Sequence, residues 1–401
     1  MKSAERMDDA PIEVPRGLAN VVVTETGLSD VRGHEGFYHY RQYSATELAR
    51  TRSVEDVWQL LLDGDLPNAD RRERFAAELA RISVLSDDLR GALPLVAAAT
   101  AHADGLAGLR VALSLEGAQA GLASLFDLSP ERRRDDVVAL AAKAPAIIAA
   151  LHRLRLGREP IQPRPELGYV ADYLHMLHGR IPDPDTVAAL STYLVAAIDH
   201  GFNASTFTAR VIASTGADAA SCLVGALGAL SGPLHGGAPS RALDTLDAIG
   251  SPQNIDSWIS AQLAAGRRIM GFGHPVYRTE DPRSALLKEV ALRFGGERVE
   301  FAVAVEERVP VLLERFKPGR ELHTNLEWYA AVVMELCGID RELFTPTFAA
   351  ARILGWTANV LEQAADPKII RPSARYIGPE APQPVPPAWP PRAGGRPAAA
   401  A

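Results

Sequence analysis

The chain of 401 residues is long enough for two domains of ordinary size, and its 47% hydrophobic and 23% charged residues are an ordinary globular balance. A net charge of −7 argues against a general nucleic-acid binder. Cys222 and Cys337 lie far apart in apolar runs, which excludes a disulfide framework, speaks against a zinc site and points to buried thiols in a reducing compartment.

The N-terminus, taken as disordered over 1–16, mixes Lys2, Glu5, Arg6, Asp8 and Asp9 and lacks the apolar stretch of a signal peptide. Val21–Thr24 is a short β-branched run, and Phe37–Tyr43 alternates aromatic and polar residues, so a small β element is expected here. From Thr46 the pattern turns helical. Ser53 with Asp56 resembles a capping box, and Gly64 ends that segment. Helices are then predicted over 71–83, 89–102, 131–154, 166–177 and 186–200, punctuated by Gly and Pro. The most apolar stretch, Ala219–Leu230, has only 12 residues and fits a buried helix better than a membrane span. No regular succession of strands is visible, and Gly271-Phe272-Gly273 lacks both a third glycine and a preceding strand, so a dinucleotide fold is not supported. The expected class is mainly α. Residues 379–401 hold 8 of the 29 prolines and end in four alanines, which predicts disorder or a loosely draped arm. The chain reads as soluble and cytoplasmic.

Five segments carry chemistry. Gly266–Arg283 sets one imidazole, His274, among Arg267, Arg268, Arg278 and Arg283. Gly271 and Gly273 allow close approach of backbone to a ligand. The loop suits an anion, although alone it reads equally as a Gly-Pro surface turn. His200 precedes the polar run Asn203–Arg210, and by itself fits a helix C-terminal residue meeting the dipole. His235 sits in a second glycine-proline turn, 231–239. Glu327, beside Trp328 and Tyr329 at a helix start, suits a desolvated base with a raised pKa, or a first-turn acid complementing the dipole. Arg352 falls in an apolar helical run, where a buried guanidinium needs an anion.

Together these segments resemble the citrate synthase family over roughly residues 17–378. The strongest motifs are Gly-Pro-Leu-His-Gly-Gly-Ala at 232–238 and Met-Gly-Phe-Gly-His at 270–274. Asp-Pro-Arg at 281–283, Leu-Phe-Thr-Pro at 343–346 and Gly-Trp-Thr-Ala at 355–358 come after them in the family's order. The chain resembles the second citrate synthases of actinobacteria.

The resemblance implies a two-domain helical fold: a large domain over 17–236 and 346–378, and a small one over 237–345. It implies a homodimer that condenses acetyl-CoA with oxaloacetate, with no metal or redox cofactor, no nucleic acid and no membrane. By the same resemblance, His235 hydrogen-bonds the thioester oxygen and His274 binds and polarises the oxaloacetate ketone. His200, Arg283 and Arg352 bind oxaloacetate, and Arg371 reaches the partner subunit's site. Arg267, Arg268, Ile269, Met270, Gly271, Phe272, Gly273 and Arg278 match the region that holds CoA. One departure stands out. The family's base is an aspartate in a run like Asn-Val-Asp-Phe-Tyr, and the matching residue here is Glu327, one methylene longer. Two other readings stay open: a 2-methylcitrate synthase using propionyl-CoA, which shares every motif, and a non-catalytic ligand-binding or regulatory relative that lost the chemistry through Glu327.

Overall fold

The computed structural model describes residues 12–386 apart from Asp104, Leu234, Gly237, Pro275 and Arg320. Most of the two segments expected to be disordered, residues 1–11 and 387–401, therefore lies outside the described residues. Two compact units are distinguished. One is residues 23–369; the other is drawn from the two ends of the chain, 12–22 with 370–386 among the described residues. In the latter, Arg375 pairs with Glu13.

The larger unit opens with three antiparallel strands in sequence order, β1 (Ser29–Arg32), β2 (Phe37–Tyr40) and β3 (Tyr43–Ser44). Ser29 faces Tyr40 and Arg32 faces Phe37 across the first pair. The β-branched run Val21–Thr24 is not a strand: the turn that closes the hairpin is residues 33–36, which pairs Ser29–Arg32, not Val21–Thr24, with Phe37–Tyr40. Two aromatic residues anchor the sheet to the helical body. Tyr38 and Tyr40 are buried, and their hydroxyls donate to the carbonyls of Ala196 (3.1 Å) and Val195 (2.9 Å).

The rest is helical. The first six helices are α1 (Ala45–Thr51), α2 (Val54–Asp63), α3 (Ala69–Ile82), α4 (Asp87–Ala99), α5 (Ala107–Gln119) and α6 (Pro130–Arg155). Next come α7 (Tyr169–His178), α8 (Pro184–Ala197), α9 (Ala204–Ala213), α10 (Ala219–Leu230) and α11 (Ala238–Ile249). The last are α12 (Ile255–Ala264), α13 (Pro282–Phe294), α14 (Glu297–Phe316), α15 (Leu326–Leu336) and α16 (Phe344–Ala365). Their ends obey local chemistry. Ser53 accepts the Asp56 N–H at 3.1 Å, as its spacing predicts, and Gly64 closes α2 in the left-handed conformation. Asn203 and Asp281 cap α9 and α13 in the same way.

Long α16 runs through the core against α6, α8, α9 and α10. Trp356 is fully buried on it, and Thr357 accepts the Trp58 indole N–H at 2.9 Å. Helix α6 is long and apolar enough by composition to cross a membrane, yet 78% of its most apolar window is buried inside the protein. Helix α15 packs between α11 and α13 and also touches α8 and α14. Its N-terminus points to the segments rich in histidine and arginine.

Candidate active site

Helix α8 ends at Ala197, and the next residues turn sharply through Asp199, His200 and Gly201. His200 is therefore not the last residue of a helix. Asp199 is buried and accepts hydrogen bonds from the Ser29 hydroxyl, the Gly201 N–H (3.2 Å) and the Asn359 amide (3.2 Å). This holds the backbone while the His200 ring projects. Its Nε2 lies 2.9 Å from the Tyr277 hydroxyl, and its ring meets His274 and Tyr38 edge-on, each at 5.5 Å. Burial, then the neighbouring Arg283 and His274, hold its pKa well below the ordinary histidine range.

His274 Nδ1 accepts the backbone N–H groups of Val276 (3.0 Å) and Tyr277 (3.2 Å). The proton of the neutral ring therefore sits on Nε2. Arg283 Nη2 lies 3.1 Å from that nitrogen. The guanidinium and the ring nitrogen thus lie side by side. Burial and Arg283 push the His274 pKa down to about 4, so the ring is neutral at pH 7. Asp281 holds Arg283 through Nε (2.9 Å) and Nη2 (2.7 Å), with both residues buried. Burial alone would raise the Asp281 pKa, but Arg283 outweighs it and the carboxylate stays ionised.

The glycine loop is pinned to the start of α15. Gly273 N–H donates to the His323 carbonyl at 2.8 Å, Asn325 N–H to the Gly271 carbonyl at 2.9 Å, and the Asn325 amide to the Gly273 carbonyl at 3.0 Å. Gly271 has φ +87°, and a Cβ there would lie 2.5 Å from the Trp328 ring, so only glycine fits. Glu327 stands in the first turn of α15. Burial, opposed by Arg283, raises its pKa, as expected for a carboxylate beside aromatics.

His235 Nε2 lies 2.8 Å from the Ser205 hydroxyl, which is also 2.8 Å from Asn203 Oδ1. The hydroxyl gives its single hydrogen to Asn203 Oδ1, so Nε2 donates to the hydroxyl oxygen in this arrangement; only if the hydroxyl turns to Nε2 does the ring proton sit on Nδ1. Burial and the charge of Arg352 bring the His235 pKa down to about 4. Arg352 is buried on α16, with its guanidinium 4.8 Å from the centre of the Phe348 ring. No carboxylate of the described residues bonds it; Nε donates to the Ala197 carbonyl at 2.9 Å and the remaining N–H groups are left for a ligand anion.

The other expected residues fall differently. Of the four arginines expected around His274, only Arg283 touches the ring; Arg267, Arg268 and Arg278 are exposed. Within the glycine loop Ile269 is buried in the core and Met270 and Phe272 are partly exposed. Arg371 is exposed in the unit made from the chain ends. Ser205, Asp281, Tyr38 and Tyr277 were not singled out from the sequence. Ser205 could have been noticed at the cap of α9, although its partner His235 is distant in sequence, and Asp281 in the Asp-Pro-Arg run, where its partner Arg283 is two residues away. A separate cleft of about 630 Å³ between the ends of α7, α8, α13 and α15 contains none of these side chains.

Three neutral imidazoles, two buried guanidiniums and a carboxylate of raised pKa can thus bind a dicarboxylate, donate hydrogen bonds to oxygens that gain charge, and remove a proton. The sequence model described as "Citrate synthase, C-terminal domain" matches residues 17–373. Citrate synthase 2 of Bacillus subtilis is 36% identical over 370 residues, which is 91% of this chain and 96% of the relative. The 2-methylcitrate synthase of Mycobacterium tuberculosis is 36% identical over 385 residues, 94% of each chain. Among solved structures, the ternary complex of citrate synthase from Thermoplasma acidophilum with carboxymethyl coenzyme A and oxaloacetate superimposes with a TM-score of 0.83 at 26% identity, covering 93% of this chain and 98% of that one.

Proposed function

The chain belongs to the citrate synthase family, and we propose that it condenses acetyl-CoA with oxaloacetate and hydrolyses the resulting thioester to citrate and CoA. The observation that carries this reading is the 3.1 Å approach of Arg283 Nη2 to His274 Nε2, with neutral His235 beside Arg352 and Glu327 of raised pKa beside Arg283. Oxaloacetate carries two carboxylates, which Arg283 and Arg352 bind, and a ketone oxygen, which the His274 Nε2–H polarises. His200 adds a further contact to oxaloacetate.

Glu327 removes a proton from the acetyl methyl. His235 stabilises the enolate oxygen that forms, presenting Nδ1–H once the Ser205 hydroxyl turns from Asn203 to Nε2. The enolate carbon attacks the ketone carbon, and water then cleaves the thioester to release CoA. The loop 267–273 with Arg278 holds CoA. Arg371 completes the site of the partner subunit in a homodimer, so the isolated subunit is inactive. Residues 237–345 form the smaller domain, which closes over oxaloacetate because the clamp draws on both parts. The free, buried Cys222 and Cys337 support a reducing cytoplasm as the location.

Thiol release from acetyl-CoA that requires oxaloacetate, with citrate as the product, tests this reading; oxaloacetate binding without thiol release at high enzyme concentration would favour the non-catalytic alternative. A second reading is 2-methylcitrate synthase. It is supported by the equal identity, 36%, to the Mycobacterium tuberculosis 2-methylcitrate synthase and to the Bacillus subtilis citrate synthase. One extra methyl group is weakly discriminated by an apolar pocket. The ratio of kcat/KM for acetyl-CoA and propionyl-CoA separates the two.

A further inference from the structure

Tyr193, on α8, is fully buried, and its hydroxyl has no hydrogen-bond partner among the described residues. The other buried tyrosines, Tyr38, Tyr40, Tyr173, Tyr277 and Tyr329, each have one. A buried phenol without a partner is unusual and calls for a reason. Helix α8 packs against both α15, which carries Glu327, and α16, which carries Arg352. Arg352 is held by the carbonyl of Ala197, one turn beyond Tyr193 on the same helix. The charges acting on the hydroxyl are, in order, those of Glu327, Arg352 and Arg283. The unpartnered hydroxyl thus belongs to the helix packed on both the carboxylate's helix and that of Arg352.

We propose that Tyr193 is a positioning residue whose hydroxyl donates a hydrogen bond to the Glu327 carboxylate once substrates are bound, fixing the direction and ionisation of the base. This rests on the reading of Glu327 as the base. The groups facing Glu327 leave this role open. Arg283 and Asp281, from the start of α13, are engaged with each other, and Arg352, from α16, is directed to the Ala197 carbonyl and to a substrate anion. From α14, Glu306 is tied to Tyr329, Thr324 and Lys288. Helix α11 presents buried Ala242, Leu243 and Leu246 to the core. On α8, the Tyr193 hydroxyl is a donor without a hydrogen-bond partner among the described residues. A hydrogen bond to the ionised carboxylate favours it and so opposes the effect of burial. Glutamate reaches one methylene farther than aspartate, and α8 packs against α15.

The test uses the full chain with Tyr193→Phe, which keeps the packing and removes only the hydroxyl. The expected result is a kcat lower by about 10- to 100-fold, an acid limb of the kcat–pH profile moved to higher pH, and an oxaloacetate KM changed by less than about 2-fold. In a Glu327→Asp background the same substitution should have little further effect, because the shorter carboxylate has already lost the bond. A change confined to the oxaloacetate KM would assign the hydroxyl to the substrate and overturn the proposal, as would an unmoved acid limb or full additivity. If Tyr193→Phe fails to fold, difluorotyrosine placed at 193 keeps the hydroxyl as a stronger donor and should move the acid limb to lower pH; no movement would also overturn it. Loss of the Glu327 reading itself is distinguished separately, by unchanged proton exchange at the acetyl methyl in Glu327→Gln.

Discussion

Asp281 and Leu326 are joined by a hydrogen bond of 3.0 Å from the backbone N–H at the start of α15 to a carboxylate oxygen that also holds Arg283. One buried carboxylate thus ties Arg283 to the first turn of the helix that carries Glu327. In the proposed reaction, the two halves of the chemistry, binding the ketoacid and removing the acetyl proton, would share this anchor. The charge of Asp281 is also suited to a helix N-terminus.

Asp281→Asn should therefore damage both halves. It leaves Arg283 buried without its counter-charge, at a cost of about 3–5 kcal/mol in stability. It should also raise the oxaloacetate KM and lower kcat together, measured by steady-state kinetics alongside denaturant unfolding. An effect on KM alone, with kcat intact, would mean that the start of α15 does not depend on this anchor.

The hairpin between β1 and β2 sets the position of the His274 loop. Arg278 N–H donates to the Gly33 carbonyl at 3.0 Å, and a Cβ on Gly33 would lie 2.2 Å from the Val276 carbonyl oxygen. Gly33→Ala must push that loop away, and a displacement of about 1 Å can cost on the order of 10²-fold in rate. The expected outcome is an oxaloacetate KM raised at least about 10-fold. Gly91→Ala, at an open position on α4, serves as the control. Equal kinetics in the two variants would show that the loop relaxes freely.

Glu327→Gln keeps the shape of the side chain but cannot accept the proton. It should lower kcat by roughly 10²–10⁴-fold and leave oxaloacetate affinity nearly unchanged. Deuterium exchange at the acetyl methyl, measured with a stable oxaloacetate analogue, isolates the step. Exchange at the wild-type rate would leave Glu327 as an acid complementing the helix dipole. Glu327→Asp should be slower than wild type if the site is built around the longer side chain, and faster if it is not.

The buried histidines make stability depend on pH. His235 and His274 are held at about 4 in the folded protein, against an ordinary value near 6.5, and His200 is also lowered. Between these values the unfolded chain binds protons that the folded one does not, so stability rises with pH. It is fully present above about pH 6.5 and is lost as pH falls toward 4, by at most roughly 1.4 kcal/mol per histidine per pH unit and less for partly exposed rings. Urea midpoints from pH 7.5 to 4.5 should fall accordingly, and His235→Asn or His274→Asn should flatten the curve. A wild-type curve already flat over that range would contradict the neutral assignment.

The helices and their ends were legible in the sequence because periodicity and caps depend on residues within about four positions of each other: Ser53 with Asp56, Gly64 after α2, Asn203 before α9. The histidine and arginine motifs were legible for a similar reason, since each is a short contiguous run. The long-range pairings were not. His235 meets Ser205, Asp281 meets Leu326, and Gly33 meets Val276 only because helices and a hairpin distant in sequence pack together. Local reasoning offered His200 a place at a helix end, whereas the chain leaves the helix at Ala197 and the ring bonds Tyr277 instead. Protonation states belong to the same class. An imidazole in a sequence is an ordinary titrating group; burial beside Arg283 or Arg352 is what makes His274 and His235 neutral donors at pH 7.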